Sequence, residues 1–399
     1  MDQKMGFTSI CVREIKENRT TQPHILPLYA TSSFAFEDID QGMRIFSGRE
    51  KGHVYGRYGN PTIETVARKI AMLEAHDIDG EEPGCILFSS GMSAILSMVL
   101  GLLKSGDKIL TQANLYGGST EQFLKILAPN GIEPVFTDLS DPEVIEDALR
   151  TDSAIKLIYG ESPANPTLAC IDLEQVGELG RRHEVWTAID NTFATPYLQQ
   201  PLRYGIDFMI HSATKYLNGH GNSIAGALVA RDAELLQHKI WPVMKLAGTN
   251  ANPWDAWLVH NGMKTLSLRM DKHCLNASQL AATLEKHESV QKVNYPGLSS
   301  HPDHALANRQ MKNYGGMLSF ELKGGLEEGL SFMRRLKFCK LAPTLGDVDT
   351  LVLHPASMSH INISRDVREA QGISDGLIRI SVGIEDLDDI LGDLLTAMP

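Results

Sequence analysis

Residues Phe208–Asn222 read FMIHSATKYLNGHGN, and the rest of the chain is arranged around this stretch. A short apolar run ends in small hydroxyl residues, followed by Lys215 and an Asn-Gly-His-Gly turn, which predicts a strand that delivers a cation at its end. Considered alone, a lysine at the end of a strand is more often exposed to solvent than part of an active site. It supports imine chemistry where a pocket or a nearby cation lowers its pKa. Thr214 and Ser212, one and three residues earlier, offer hydroxyls to a phosphate beside the amine.

The overall composition is that of an ordinary globular protein. With 399 residues, 43% of them apolar, we expect two or three domains and a sizeable core. A net charge of −12 and the lack of a long apolar segment argue against nucleic acid and membrane as partners. Five scattered cysteines predict neither a disulfide framework nor a zinc site, and the N-terminus lacks a signal-peptide layout, so we expect a cytoplasmic protein.

Strand-length and helix-length segments alternate between residues 61 and 250. The predicted strands are Cys85–Phe88, Lys108–Leu110, Pro134–Phe136, Ile155–Tyr159, Val185–Ile189, Phe208–Ile210 and Ile224–Ala230. This alternation predicts an α/β domain with a mostly parallel, seven-stranded sheet sandwiched by helices. Ligands of such sheets bind beyond the carboxyl ends of the strands.

The segments on either side have other patterns. Residues 1–60 show no sustained period, and their scattered proline, glycine and aromatic residues predict an extended arm of the kind common in oligomers. Residues 251–399 combine long amphipathic segments with short strands, which predicts a smaller C-terminal α+β domain.

Polar side chains follow several predicted strands. Asp190 follows Val185–Ile189, where a carboxylate needs a cation or a donor, although it could simply cap the next helix. Residues 89–92 open a helix whose amides can bind a phosphate. The sequence supports two interpretations of Tyr116 equally: its flat ring contacts a ligand, or it packs in the core. These strand ends also include the polar loop 161–166.

A phosphate cradle, an anion for a protonated ring nitrogen and an imine-forming lysine are together what pyridoxal 5′-phosphate (PLP) requires. A nucleotide-dependent oxidoreductase is the competing interpretation. It is less well supported because no GxGxxG opens the first strand-helix unit and no GxxxxGK[ST] occurs in the chain.

Several motifs together resemble one family. They are HSATKYLNGHGN, AIDNTFATP, ESPANP, SSGMSAI, YGRYGNPT, LAPTLGDVDTLVLHPASMSH and LIRISVGIE. Their order and spacing are similar, over essentially the whole chain, to those of the Cys/Met-metabolism (trans-sulfuration) family of fold-type I PLP enzymes. Members include methionine γ-lyase, cystathionine γ-lyase, cystathionine γ-synthase and O-acyl-homoserine sulfhydrylases, so the shared fold does not choose the reaction.

The resemblance implies how the cofactor is held. Lys215 matches the lysine that carries PLP, Asp190 the partner of the pyridine nitrogen, and Tyr116 the residue that stacks on the ring and helps to protonate the leaving group. Glu161 matches a residue that supports the ring from further away. The matching phosphate-binding residues are Gly91, Met92, Ser212 and Thr214.

The resemblance also implies an oligomer and a substrate site. Tyr55 and Arg57 match residues that reach the phosphate of a neighbouring subunit, which implies a homodimer as the active unit and a homotetramer as the assembly. The substrate α-carboxylate is implied to bind Asn165, Thr344 and Arg379.

Departures from the family pattern bear on the reaction. Gly118 stands where methionine γ-lyases commonly carry cysteine, and Pro343 where cystathionine enzymes carry a glutamate that contacts the distal amino group. Asn222, Met244 and Lys245 also differ. Because Pro343 favours a smaller or more apolar substrate, we expect a C–S γ-lyase that converts a sulfur amino acid such as methionine to 2-oxobutanoate, ammonia and a thiol. The alternatives are γ-replacement on an O-acyl-homoserine, cystathionine γ-lyase activity, and a catalytically silent relative.

Overall fold

A seven-stranded sheet carries the predicted strand ends along one edge. The computed structural model describes residues 5–13, 21, 23–361 and 363–399. Its first strands are β1 (Gly84–Phe88), β2 (Lys108–Gln112), β3 (Glu133–Thr137), β4 (Ile155–Glu161), β5 (Trp186–Asp190), β6 (Phe208–His211) and β7 (Gly226–Ala230). They lie in the order β1-β7-β6-β5-β4-β2-β3, and β7 alone of these strands is reversed. The mostly parallel seven-stranded sheet is therefore confirmed.

Helices cover both faces of this sheet. They are α3 (Pro61–Glu74), α4 (Gly91–Leu102), α5 (Gly117–Gln122), α6 (Pro142–Thr151), α7 (Leu173–His183), α8 (Thr195–Leu198), α9 (Ala233–Leu235), α10 (Trp241–Ala247) and α11 (Pro253–Met263). Because strand side chains alternate, Phe208 packs with the α4 face while Met209 packs with the α3 face. Burial on both faces explains why these strands are continuous apolar runs.

The N-terminal segment contains two short helices, α1 (Phe7–Val12) and α2 (Ile39–Phe46), that its sequence pattern does not predict. A helix of six residues is marginal alone, and α1 is stabilised by its contacts with α3 and with the long helix Leu266–Leu284. Lys69 Nζ donates to Cys11 O at 3.1 Å, and Thr8 Oγ1 donates to Ser267 Oγ at 3.0 Å. Tertiary contacts therefore produce local structure that periodicity does not reveal.

The C-terminal part forms a second sheet of five strands. Its strands are β8 (Val290–Asn294), β9 (Met317–Leu322), β10 (Lys340–Leu341), β11 (Leu351–Leu353) and β12 (Leu377–Ser381), in the order β10-β11-β12-β9-β8. Its helices are α12 (Leu266–Leu284), α13 (His304–Gln310), α14 (Gly325–Arg335), α15 (Arg365–Ala370) and α16 (Leu387–Ala397). The mixture agrees with the predicted α+β domain. Because α11 packs against α3, the boundary near residue 250 stays a prediction.

Short 3₁₀ or π-helical segments complete the secondary structure. They are Phe123–Leu127, Ala128–Asn130, Pro201–Tyr204, Leu236–Ile240 and Pro355–Ser357. In the described ranges, no helix is both long and apolar enough to cross a bilayer.

A close approach between β7 and α4 fixes the helix end that faces the sheet edge. Gly226 pairs with Phe88 across the antiparallel strands β7 and β1. A Cβ atom at Gly226 would lie 2.1 Å from Ser90 O and 2.6 Å from Gly91 N. Only glycine allows the first turn of α4 to lie this close to β7.

We expect Gly226→Ala to lower the free energy of unfolding by roughly 3 kcal/mol, because the added methyl group meets backbone atoms that move only together with α4. Gly392→Ala is the control, since Gly392 lies within α16 and nothing is within 4 Å of its Cβ position. That change should raise the free energy of unfolding by up to about 1 kcal/mol. Urea titrations measure both, and equal effects of the two substitutions would contradict the packing argument.

Candidate active site

A cavity of about 300 Å³ opens where the carboxyl ends of the large sheet meet the C-terminal domain. It brings together most of the residues predicted for the site. These are Gly91, Met92, Tyr116, Glu161, Asn165, Asp190, Ser212, Thr214, Lys215 and Arg379. Thr344 adjoins the cavity through its bond to Lys215, whereas Tyr55 and Arg57 do not line it.

Lys215 lines the cavity and is partly buried. Its Nζ donates to Thr344 Oγ1 at 2.8 Å. Burial and, to a smaller extent, the charge of Arg379 together lower the pKa of this amine to about 8, and Asp347 opposes both. A neutral amine is therefore far more available here than on a surface lysine, as attack on a carbonyl carbon requires.

The N-terminus of α4 forms one end of the cavity. Ser90 and Ser93 make a reciprocal capping box in which each side chain accepts from the other residue's amide, at 3.1 and 2.9 Å. The box does not use the amides of Gly91 and Met92. A Cβ atom at Gly91 would lie 3.2 Å from Ser212 Cβ, so the helix end and the loop after β6 are in close contact. A twelve-residue helix that begins beside a serine hydroxyl fits a phosphate.

Thr214 is also engaged with its own turn. Its Oγ1 accepts from Ala225 N at 3.0 Å and lies 3.2 Å from Ala225 O. To donate to a phosphate, the hydroxyl must rotate its proton away from that carbonyl oxygen.

Two carboxyl groups lie side by side at the ends of neighbouring strands. Glu161 on β4 pairs in register with Asp190 on β5. Burial, and then the charge of Asp190, raises the pKa of Glu161 to about 8, and burial also raises the pKa of Asp190. Thr192 N donates to Asp190 Oδ1 at 3.0 Å. Because two adjacent buried carboxyls resist carrying two negative charges, the pair favours a cationic ligand atom beside it, such as a protonated ring nitrogen.

The Tyr116 ring is 52% exposed at the mouth of the cavity. Its backbone amide is anchored, because Tyr116 N lies 2.9 Å from both carboxylate oxygens of Glu161. A Cβ atom at Gly118 would lie only 2.5 Å from Tyr116 Cε1, so the ring rests against the backbone at Gly118. The absence of a side chain at this position therefore allows the observed orientation of the tyrosine.

A buried guanidinium also lines the cavity. Arg379 is 5% exposed, and its Nη1 and Nη2 donate to Asn165 Oδ1 at 3.3 Å and to Thr344 O at 2.9 Å. Its buried Nε has no hydrogen-bond partner in the described part of the chain. Burial lowers the pKa of Arg379 to about 10, so it stays charged at neutral pH. A charged group with an unused donor fits a substrate carboxylate.

Tyr55 and Arg57 lie outside the cavity of their own chain. Arg57 donates to Lys245 O, and its guanidinium carbon lies 5.0 Å from the centroid of the Tyr58 ring. Lys245 Nζ lies 4.2 Å from the same ring. Their role at the cofactor of a neighbouring subunit stays a prediction.

The cavity also contains residues that the sequence did not single out. Thr192 lies two residues after Asp190 within the AIDNTFATP motif, and its Oγ1 accepts from Ser212 N at 2.8 Å. Phe193, Ile224 and Leu345 supply apolar lining. Thr192 was identifiable from the sequence, because its hydroxyl follows a strand-end carboxylate by two residues. The three apolar residues have no comparable sequence pattern.

The rate at which cofactor-free protein combines with PLP should rise about tenfold per pH unit below pH 8 and level off above it. The reason is that only the neutral form of Lys215 attacks the aldehyde. Stopped-flow absorbance between pH 6 and pH 10 measures this rate. Arg379→Met removes a cation that lowers the pKa of Lys215, so the plateau should begin at higher pH. A rate that climbs without levelling up to about pH 10, as for an exposed lysine, would refute the assignment.

The chain is similar to known proteins over nearly its whole length. The family model described as "Cys/Met metabolism PLP-dependent enzyme" matches residues 8–399. The L-methionine gamma-lyase of Fusobacterium nucleatum subsp. polymorphum is 43% identical over 391 residues, which are 98% of this chain and 96% of that protein. The cystathionine beta-lyase of Lactococcus lactis subsp. cremoris (strain MG1363) is 40% identical over 385 residues, 96% of each chain.

A solved structure agrees in fold. The crystal structure of cystathionine gamma synthase from Xanthomonas oryzae pv. oryzae, in complex with aminoacrylate and cysteine, has a TM-score of 0.91 at 37% identity and covers 99% of this chain and 98% of that one. This similarity confirms the fold-type I architecture. The family model spans nearly the whole sequence, and the cavity joins an amine, an anion and a helix N-terminus as PLP requires. The chain therefore belongs to the family of Cys/Met metabolism PLP-dependent enzymes.

Proposed function

We propose that the protein is a PLP-dependent C–S γ-lyase that converts L-methionine or a related sulfur amino acid to 2-oxobutanoate, ammonia and a thiol. The observation that carries the proposal is the apolar lining of the cavity by Phe193, Ile224, Pro343 and Leu345. This lining suits a thioether and offers no carboxylate to a distal amino group. The identity of 43% to an L-methionine gamma-lyase supports the same reaction.

Different residues of the cavity would bind the substrate and transfer protons. Arg379 and Asn165 would bind the substrate carboxylate and thereby place its Cα beside Lys215. When bound, PLP supplies an electron sink for charge that develops at Cα. Lys215 would remove the proton from Cα and then one from Cβ, and Tyr116 would protonate the sulfur as the C–S bond breaks. The two protons removed from Cα and Cβ would then return to the carbon chain, one at Cγ and one at Cβ. Water then replaces the amino group, which leaves as ammonia.

The residues that bind PLP would come from the ends of three strands. Gly91, Met92, Ser212 and Thr214 would bind its phosphate at the N-terminus of α4, and Asp190 would hold its ring nitrogen. Asp190 would favour a protonated nitrogen, which makes the ring a better electron acceptor. Glu161 would support the ring site indirectly, through its contact with Tyr116 N.

Replacement at Cγ is the second candidate, and the similarity to a cystathionine gamma synthase structure favours it. The same carboxylate and cofactor residues serve both reactions. A thiol that enters the cavity in place of water would turn elimination from an O-acyl-homoserine into formation of a thioether. Cystathionine γ-lyase activity is a third possibility, against which the apolar Pro343 argues.

The proposed active unit is a homodimer, and a pair of such dimers is the proposed assembly. Tyr55 and Arg57 lie outside the cavity of their own chain, and Tyr55 is exposed, which suits residues that complete a neighbour's phosphate site. The proposed compartment is the cytoplasm. Its support is that the five cysteines are all free and four of them are buried.

Purified PLP-loaded enzyme should release 2-oxobutanoate from L-methionine without any added thiol. The test compares L-methionine, L-cystathionine and O-acetyl- or O-succinyl-L-homoserine, each with and without L-cysteine or sulfide, and measures 2-oxobutanoate and thioether products. Lys215→Ala should lower the rate by about three orders of magnitude or more, since it removes the group that moves both protons. Turnover only of an acyl-homoserine, and only with a thiol, would make the enzyme a transferase and overturn the first proposal.

Pro343→Glu should lower kcat/KM for L-methionine and raise the preference for L-cystathionine by about a hundredfold. A carboxylate in the apolar lining is costly without a partner, and the distal ammonium group of cystathionine supplies one. Pro343→Gln is the matched control, because it has nearly the same size without the charge. If both variants change the ratio of kcat/KM values equally, charge at position 343 does not select the substrate.

A further inference from the structure

A buried carboxylate, Glu74, lies behind the sheet edge that carries the cavity residues. It is the last residue of α3, and its side chain is 0% exposed. Its Oε1 accepts from His211 Nε2 at 2.6 Å and from Asn191 Nδ2 at 3.3 Å. One oxygen atom therefore joins the ends of two neighbouring strands, β5 and β6.

Both partners of Glu74 are next to residues that line the cavity. Asn191 directly follows Asp190, and His211 directly precedes Ser212. His211 lies two residues after Met209, on the face covered by α3. Glu74 thus acts from the opposite side of the sheet edge and has no place in the cavity lining.

A second link joins the same strand ends from within the cavity. Thr192 N donates to Asp190 Oδ1 at 3.0 Å, and Thr192 Oγ1 accepts from Ser212 N at 2.8 Å. Asp190 and Ser212 are therefore fixed relative to each other twice, by Thr192 on one side and by Glu74 on the other. In the proposed function Asp190 would hold the ring nitrogen of PLP and Ser212 would hold its phosphate, so the separation of the two residues would affect how well the cofactor fits.

The Glu74 contacts extend through buried polar groups to the C-terminal domain. Asn191 Nδ2 also donates to Gln199 O at 2.9 Å, and Gln199 Nε2 donates to Asn191 Oδ1 at 3.1 Å. Gln310 Nε2, on α13, donates to Gln199 Oε1 at 3.2 Å. Such a network is strong in a low-dielectric interior and costly to leave incomplete. It makes Glu74 the end of a chain of contacts that spans both domains.

Stability alone does not account for the pair of Glu74 and His211. Glu74 Oε2 and His211 Nδ1 are buried and lack hydrogen-bond partners among the described residues, which costs free energy that an apolar pair would not. The pair also lies close enough to affect Asp190, because burial raises the pKa of Asp190 and His211 is among the groups that oppose this rise.

We propose that Glu74 is a positioning residue that holds Asp190 and Ser212 at the separation PLP requires, and so sets the affinity for the cofactor. The inference rests on the proposed roles of Asp190 and Ser212. It is independent of which reaction follows, because it concerns the binding of PLP and not the fate of the substrate.

The test measures the PLP dissociation constant of the full-length enzyme by equilibrium dialysis of the holoenzyme. Glu74→Met should raise this constant roughly tenfold or more, and Glu74→Gln should raise it less, because the amide oxygen still accepts but lacks the charge. The visible absorption maximum of bound PLP should shift in the same order. The thermal midpoint with saturating PLP separates these effects from general loss of stability.

Lys69→Met is the matched control. Lys69 lies on the same helix and is equally buried, but its Nζ donates to Cys11 O, which belongs to α1. This variant should lose thermal stability and keep the wild-type PLP dissociation constant. If it weakens PLP binding as much as Glu74→Met does, Glu74 stabilises only the fold and the proposal is wrong.

Glu74→Gln decides the matter if Glu74→Met does not fold. A dissociation constant within about twofold of the wild-type value would overturn the proposal, and a larger rise that Lys69→Met lacks would support it. Failure of the proposed reaction is distinguishable, since an enzyme that releases no 2-oxobutanoate still reports its affinity for PLP.

Discussion

Desolvation of the Lys215 amine is the constraint on which the site depends. The amine must be buried to lose its proton near neutral pH, and the fold achieves this by placing Thr344 and Arg379 of the C-terminal domain against the loop that follows β6. Burial lowers its pKa, Arg379 adds to this effect, and Asp347 limits it. One cavity thus holds two basic groups, and the charge of Arg379 disfavours the protonated form of Lys215. A substrate carboxylate at Arg379 would screen the charge of the guanidinium from Lys215, so electrostatics favour an anion at this position.

The chain that follows Lys215 is held by a second buried guanidinium. Arg269, on α12, donates to Tyr216 O at 2.8 Å and to Gly262 O at 2.9 Å. The same turn passes through Gly219 at φ +71°, where a Cβ atom would lie 2.1 Å from Arg269 Nη1. The backbone of the lysine is therefore fixed by residues of the C-terminal part before any ligand binds, and such preorganisation avoids an ordering cost during the reaction.

The sequence predicted the sheet and most of the cavity for one physical reason. Strands buried on both faces are continuous apolar runs, and the polar residues that end them must meet at one edge. Asp190 and Lys215 were identifiable in this way. Features that depend on tertiary contacts were not identifiable in this way. Helix α1 is stabilised by such contacts, and Leu345 reaches the cavity from a distant part of the chain. Glu74 was hidden because it ends an amphipathic helix, where a carboxylate ordinarily faces solvent. The proposed contact of Arg57 is with a phosphate held by a neighbouring subunit, so it depends on a second chain.

The contact between the Tyr116 ring and the backbone at Gly118 has an evolutionary consequence. A side chain at position 118 acts first on the tyrosine, since its Cβ would overlap the ring, and only through the tyrosine on the substrate. If Tyr116 is the proposed acid, substrate preference and acid catalysis are coupled at this site. Lineages that acquire a side chain at 118 must at the same time accept a new orientation of Tyr116, so the two positions are expected to show strong epistasis.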